Sequence, residues 1–352
     1  MTSAKPLQPA GFLAYCRPGF EPECLADLQA RYGKRGQQDT GAGWAFVSAV
    51  ARGDEDEPSF SSSFIFVRQS VPVLGRVSLP ERDRLTPIIG FLRAFSPEFH
   101  EVWIEYPDTN DGKALSGFAK KFQPYVEKAA GKEGWLKEYT GGPKLRLHLF
   151  FASQNDVFIG IRRARDNDWL CGIPRLRFPS EAPSRSTLKL LEAFIMLIDE
   201  PERRLKSGMT GVDLGAAPGG WTYQLVHHGL KVFAIDNGPM KGSMDGHPQV
   251  KHLKEDGFRW KPKHAVDWLV CDMVEQPVRI ASLIAQWLAS GMARQTVFNL
   301  KLPMKKRHAE VERCLTLIRD ALDDAGLRYR IRARHLYHDR EEITCYIRVG
   351  KD

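Results

Sequence analysis

Apolar positions along the chain change their rhythm near residue 180. Ahead of that point, short apolar runs alternate with helical stripes in two successive units. Phe12 to Cys16 predicts a strand, followed by R-P-G-F and a helix in which Cys24/Leu25, Leu28 and Tyr32 recur at helical spacing. Trp44 to Val50 predicts the returning strand. In the second unit Leu85, Ile88, Ile89, Leu92 and Phe95 share one helix face over 84–95, and Val102 to Tyr106 predicts a strand. Leu115, Phe118, Phe122 and Val126 form another helical stripe, read as core, with Lys120, Lys121 and Lys128 flanking it outside. K-L-R-L-H-L-F-F-A, Lys144 to Ala152, alternates as a half-buried strand does, and the acidic run G-D-E-D-E-P, Gly53 to Pro58, predicts a loop at a subdomain boundary.

From about Ser180 the pattern becomes strand, loop, helix, repeated, which predicts a doubly wound α/β domain on a parallel sheet. The expected strands are Gly211–Leu214, Lys231–Ile235, Val250–Leu253, Trp268–Cys271, Thr296–Leu302, Tyr329–Ala333 and Ile343–Val349. Helices are expected at Ile280–Leu288 and Ala309–Ala325. Ligands of such sheets bind outside the carboxyl ends of the strands, where the strand order reverses.

A chain of 352 residues exceeds what one core usually supports, in line with more than one domain. The six cysteines include no C-x-x-C pair, which argues against a disulfide framework or zinc site and suits a reducing cytosol. The first residues lack the layout of a signal peptide, and no apolar run approaches the roughly 20 residues of a membrane span. A cytoplasmic protein without membrane attachment is expected. The net charge of +8 points to a polyanionic partner. Most of the excess sits between Lys113 and Arg165, where eleven cations face four acids. A phosphate-binding surface is expected there in preference to a merely solvated face.

V-D-L-G-A-A-P-G-G-W, from Val212 to Trp221, follows the first strand of the second half and opens a helix. Glycine allows close backbone approach to a ligand, and a helix start offers free N–H groups. The spacing is not G-x-G-x-x-G, and Pro218 removes a donor, so a pyrophosphate cradle fits less well than a nucleoside with an amino-acid tail. Gly215, Ala217, Pro218, Gly219 and Gly220 are the candidate loop contacts. Asp236, ending the next strand, is placed to accept from ribose hydroxyls, and Asp256, after the third, from an adenine amine. S-adenosylmethionine fits this set.

D-L-G-A-A-P-G-G-W resembles the first motif of the FtsJ-type ribose methyltransferases. Together with S-R-S-T-L-K-L, N-L-K-L-P-M-K-K-R, L-Y-H-D-R-E-E and R-P-G-F-E, almost the whole chain resembles the bacterial large-subunit (23S) ribosomal RNA cytidine 2′-O-methyltransferase family. The resemblance implies a ferredoxin-like subdomain over 1–60, a THUMP-like RNA-binding domain over 61–165 and a Rossmann-like class I methyltransferase domain over 166–352. It also implies a substrate in 23S ribosomal RNA or a large-subunit precursor. A monomer is expected.

A ribose hydroxyl ionises far above neutral pH, so attack on a sulfonium methyl needs alignment and a base. The family uses a Lys–Asp–Lys–Glu set, and the matching motifs here hold Lys189, Asp272 and Lys301. Lys301, inside an otherwise apolar strand, is the expected general base, oriented by Asp272 and made easier to deprotonate by the cation of Lys189. For the fourth member, residue order favours Glu341 and abutment to the apolar run favours Glu342. Adjacent strand residues face opposite ways, so one of the two is expected to enter, with Glu342 preferred. Ser186 resembles the family's cofactor-contacting serine, with a helix cap as the alternative role. Lys305, Lys306 and Arg307 are expected to hold substrate phosphates. No metal site is expected.

Other chemistries fit less well. C-D-M-V-E lacks the proline pair of base-amine methyltransferases, and Cys271 is expected to point into the sheet rather than attack a pyrimidine. The glycine spacing argues against a dehydrogenase, and the missing P-C-x-x-C against a zinc deaminase. A non-catalytic RNA-binding assembly factor with the same fold is the remaining alternative.

Overall fold

The computed structural model describes residues 5–49, 64–166 and 168–350; the acidic run Gly53–Pro58 lies outside them. Contacts divide the chain into two compact units, one running to Pro174 and one from Arg175, with Phe64 and Ile65 belonging to the second.

In the first unit β1 (Gly11–Tyr15), β2 (Gln38–Gly41), β3 (Trp44–Ser48), β4 (Gln69–Ser78), β5 (Glu101–Glu105), β6 (Leu145–Ser153) and β7 (Asp156–Arg163) form one sheet in the order β2-β3-β1-β4-β7-β6-β5. The stretches 1–60 and 61–165 therefore share a hydrogen-bonded sheet, joined where β1 pairs antiparallel with β4. Helices α1 (Glu21–Tyr32), α2 (Leu85–Arg93) and α4 (Ser116–Lys132) pack on it, and the short α3 (Asn110–Ala114) packs against α4. Ile88 and Leu92 of α2 and Val126 of α4 meet Leu147, Leu149 and Ile159 in one core cluster.

Two expectations change in this unit. β6 is not half-buried, because it lies between β5 and β7 and is covered on both faces. Its polar residues are internal: Arg146 lies 3.4 Å over the Trp103 ring and bonds Glu101 and Asp168, and His148 Nδ1 lies 2.6 Å from Glu105 Oε2. Arg162 is likewise buried against Asp168. These two arginines therefore leave the basic surface, and the exposed cations concentrate on α4, at Lys120, Lys121, Lys128 and Lys132.

The second unit begins with α5 (Thr187–Leu197) and α6 (Pro201–Arg204). It continues through β8 (Thr210–Leu214), α7 (Gly220–His227), β9 (Lys231–Ile235), β10 (Val250–Leu253), β11 (Val266–Cys271), α8 (Pro277–Ala289), β12 (Ala293–Lys301), α9 (Arg307–Asp324), β13 (Tyr329–Arg334) and β14 (Glu342–Val349). Strand order is β10-β9-β8-β11-β12-β14-β13. The first five strands in that order run parallel, but β14 is antiparallel to both neighbours, so the sheet is mixed rather than wholly parallel. The cause is length: only residues 335–341 join β13 to β14, fewer than the dozen a parallel crossover needs. Burial on both faces explains the apolar runs in β8 and β11. The order reverses between β8 and β11, which opens a crevice at their carboxyl ends.

Candidate active site

The chain leaves β8 through Gly215, at φ +78, where a Cβ would lie 2.6 Å from Met273 Cγ; only glycine satisfies both demands. Ala217 N and Gly238 N donate to Asp236 at 3.0 and 2.7 Å, so the carboxylate ending β9 stitches the loop in place. A carboxylate has about four acceptor directions, which leaves Asp236 room for hydroxyl donors. Asp256, beyond β10, accepts from Phe258 N at 2.8 Å and its side chain is half exposed. Pro218 offers no N–H, Gly219 carries φ +113, and Gly220 starts α7 so close to the preceding segment that a Cβ would lie 2.2 Å from Ser186 Oγ. Ser186 makes no helix cap; its hydroxyl pairs with that of Ser184 at 2.7 Å. Carboxylates at the ends of β9 and β10, with no cation among residues 215–220, suit hydroxyl and amine donors rather than phosphate.

Beside this loop, Asp272 follows the last residue of β11, and Lys301 is the last residue of the adjacent strand β12. Lys301 Nζ lies 2.7 Å from Asp272 Oδ1, and its side chain is 22% exposed, neither sealed nor in bulk solvent. Lys189, in the first turn of α5, places Nζ 3.6 Å from Asp272 Oδ2 and donates to Glu342 at the start of β14. Burial works against the Lys189 ammonium, but the charge of Asp272, then the bond and charge of Glu342, outweigh it and raise its pKa. Lys189 is therefore a fixed cation. Glu341 goes the other way, 60% exposed, and accepts from Arg307 at 3.1 Å. Lys305 and Lys306 are exposed just before α9.

The pattern for FtsJ-like methyltransferases matches residues 182–314, and that for the N-terminal part of ribosomal RNA large subunit methyltransferase M matches 83–163. The ribosomal RNA large subunit methyltransferase M of Laribacter hongkongensis is 49% identical over 96% of both chains. The protein of that name from Thauera aminoaromatica is 47% identical over 99% of both. The chain belongs to the ribosomal RNA large subunit methyltransferase M family. Its second unit has the Rossmann-like class I methyltransferase fold. Among solved structures, that of TrmN from Thermus thermophilus aligns over 97% of this chain at 16% identity with a TM-score of 0.38.

Against that family pattern, the structure brings Lys189, Asp272, Lys301 and Glu342 together and leaves Glu341 outside. Cys271 is fully buried, and burial pushes its thiol up to about 12, so it is no nucleophile. Three polar residues escaped the sequence reading. Asn299 donates to Asp272 Oδ1 at 2.8 Å. Glu192, inside apolar α5, holds the 337–338 loop through Tyr337 N, His338 N and His338 Nδ1. Asp213 of β8 accepts from Thr222 Oγ1 at 2.7 Å. Burial first, opposed by the Thr222 bond and aided by the charge of Asp272, pushes its carboxyl up to about 7. An acid within an apolar run was the available signal for Glu192 and Asp213.

Proposed function

We propose that the chain transfers the methyl group of S-adenosylmethionine to a ribose 2′-hydroxyl of large-subunit ribosomal RNA, that of a cytidine, with Lys301 as general base. The observation that carries this reading is the 2.7 Å contact between Lys301 Nζ and Asp272 at the carboxyl edge of the sheet, one strand from the glycine loop. Gly215, Ala217, Gly219, Gly220 and Ser186 would face the amino-acid tail, and Asp236 and Asp256 the nucleoside. When bound, the cofactor supplies an electrophilic methyl on a sulfonium. The residues of the chain supply the rest. Lys189, held cationic by Asp272 and Glu342, shares the Asp272 carboxylate with Lys301 and fixes its place beside that amine. Lys301, once deprotonated, takes the proton of the sugar hydroxyl. A positioned base contributes roughly 10²–10⁴-fold. The ribosomal substrate and the cytidine rest on the family resemblance.

For RNA contact, the exposed face of α4 supports a phosphate-binding surface. Lys121, Tyr125, Lys128 and Lys132 recur at helical spacing along one stripe, and Tyr125 is 64% exposed, available to stack on an unpaired base. The deciding experiment is mass spectrometry of large-subunit ribosomal RNA from cells lacking the gene, complemented with wild type or Lys301→Ala. Wild type restores a 2′-O-methylcytidine; restoration by the alanine variant would remove Lys301 from its role. A purified chain that binds this RNA yet transfers no tritium from labelled S-adenosylmethionine would support the assembly-factor alternative instead.

A further inference from the structure

A row of fully buried polar side chains leads away from Asp272 through β12 and β14 to the 335–341 connection. Asn299 Nδ2 lies 2.8 Å from Asp272 Oδ1, Asn299 Oδ1 lies 2.8 Å from Thr344 Oγ1, and Thr344 Oγ1 lies 2.9 Å from both oxygens of Asp339. Asn299, Thr344 and Asp339 are all 0% exposed. Asp339 Oδ2 also accepts from Leu336 N at 2.9 Å.

Counting protons sets the direction of this row. The Asn299 amide must turn its N–H toward Asp272, because the flipped amide would oppose two acceptors at 2.8 Å. Its oxygen then needs a donor, and Thr344 has a single hydroxyl proton. If that proton goes to Asn299, the 2.9 Å contact between Thr344 and Asp339 needs a second proton, which only the Asp339 carboxyl can carry. If it goes to Asp339 instead, Asn299 and Thr344 oppose lone pairs at 2.8 Å. A neutral Asp339 resolves both. Its environment agrees, since burial and then the charge of Glu342 hold the carboxyl well above the usual range.

We propose that Asp339, Thr344 and Asn299 are positioning residues: a one-way chain of hydrogen bonds, Asp339 to Thr344 to Asn299 to Asp272, that fixes the carboxylate facing Lys301. The proposal rests on the assignment of Lys301 and Asp272 above. The chain anchors Asp272 to the 335–341 connection that also delivers Glu342 to Lys189. Loss of the anchor lets Asp272 rotate away from Lys301, and misplacement by about 1 Å costs up to roughly 100-fold in rate.

The test uses full-length variants with large-subunit RNA from cells lacking the gene and tritiated S-adenosylmethionine, measuring kcat, both KM values and melting temperature. Thr344→Val is expected to lower kcat about 10- to 100-fold with both KM values within about twofold. Thr344→Ser, which keeps the hydroxyl, is expected to recover kcat to within about threefold. Asp339→Asn separates this chain from an ionised aspartate, since its amide still donates to Thr344 and its oxygen still accepts from Leu336 N. It is expected to keep kcat within about threefold of wild type. Wild-type kcat in Thr344→Val, or a collapse of kcat in Asp339→Asn with folding intact, overturns the proposal. If Thr344→Val does not fold, Asp339→Asn alone decides. Lys301→Ala runs in parallel: its activity reports on the base assignment whatever the chain of hydrogen bonds does.

Discussion

Replacing Asp272 by asparagine keeps the side chain's shape and removes the carboxylate that Lys189 and Lys301 share. At the observed 2.7 and 3.6 Å and an effective dielectric of about 20, each ion contact is worth about 5–6 kcal/mol before desolvation. The three side chains are 16–22% exposed, so screening and desolvation reduce the net loss of stability to about 1–3 kcal/mol. Lys189 keeps Glu342, whereas Lys301 loses its carboxylate. The second substitution, Lys301→Met in the asparagine background, removes the uncompensated cation and is expected to recover at least half of the lost stability. Urea unfolding followed by tryptophan fluorescence measures the cycle, and tritium transfer to RNA measures kcat, which is expected to fall about 10²–10⁴-fold in Asp272→Asn and stay low in the double variant. If Lys301→Met costs further stability in the asparagine background, the two side chains are not coupled, and the assignment of Asp272 to orient Lys301 fails with it.

Glu342→Gln is expected to lower kcat by more than about tenfold, and Glu341→Gln by less than about twofold, because Glu342 alone of the two meets Lys189; equal effects in a tritium assay would contradict this. Gly220→Ala drives a Cβ to within 2.2–2.3 Å of the Ser186 and Ser184 hydroxyls and 3.1 Å of Thr187 N. A loss of about 1–3 kcal/mol and weaker cofactor binding by calorimetry are expected, and an unchanged melting temperature would refute the close packing. Alanine at Lys120, Lys121 and Lys128 together is expected to weaken RNA binding and reduce the slope of log affinity against log salt by about 2–3; an unchanged slope would show that α4 is not the RNA face. Asp213 titrates at about 7 folded and near ~3.9 unfolded, so the native chain holds more protons between those values and loses stability as pH rises through them, by about 4 kcal/mol. The unfolding free energy of Asp213→Asn relative to wild type should therefore grow from about pH 4 to 7 and level off above, and a pH-independent difference would count against a neutral Asp213.

The central strands β8, β11, β12 and β14 were legible in the sequence because burial on both faces writes them as largely apolar runs, within a few residues of their observed ends. β4 was not, since Pro72 and Gly75 interrupt its pattern where the ladder to β7 shifts register. β6 was found but misjudged: leucines alternating with Arg146 and His148 look amphipathic until Glu101, Glu105 and Asp168 arrive from other elements to pair with them. The same limit applied to charge. A count of cations cannot tell a lysine on α4 from an arginine whose partner lies far along the chain.

The lysine of β12 stood out in the sequence while its glutamate and its neutral neighbours did not, and strand register explains the difference. In the antiparallel pair of β12 and β14, Lys301 lies opposite Glu342 and Asn299 opposite Thr344. With a period of two, 299 and 301 share a face, as do 342 and 344, so one register sets the Lys301–Glu342 pair and the Asn299–Thr344 bond together. A lysine within an apolar strand announces itself from sequence; an asparagine two residues earlier does not, because its role depends on which residue of β14 faces it. A slip of one residue would turn Glu342 and Thr344 away and bring Glu341 and Ile343 to that face. Glu341 instead pairs with Arg307, and Ile343 is fully buried. Choosing between the two adjacent glutamates was therefore a question about register, which sequence alone could not answer and which the β12–β14 pairing decides.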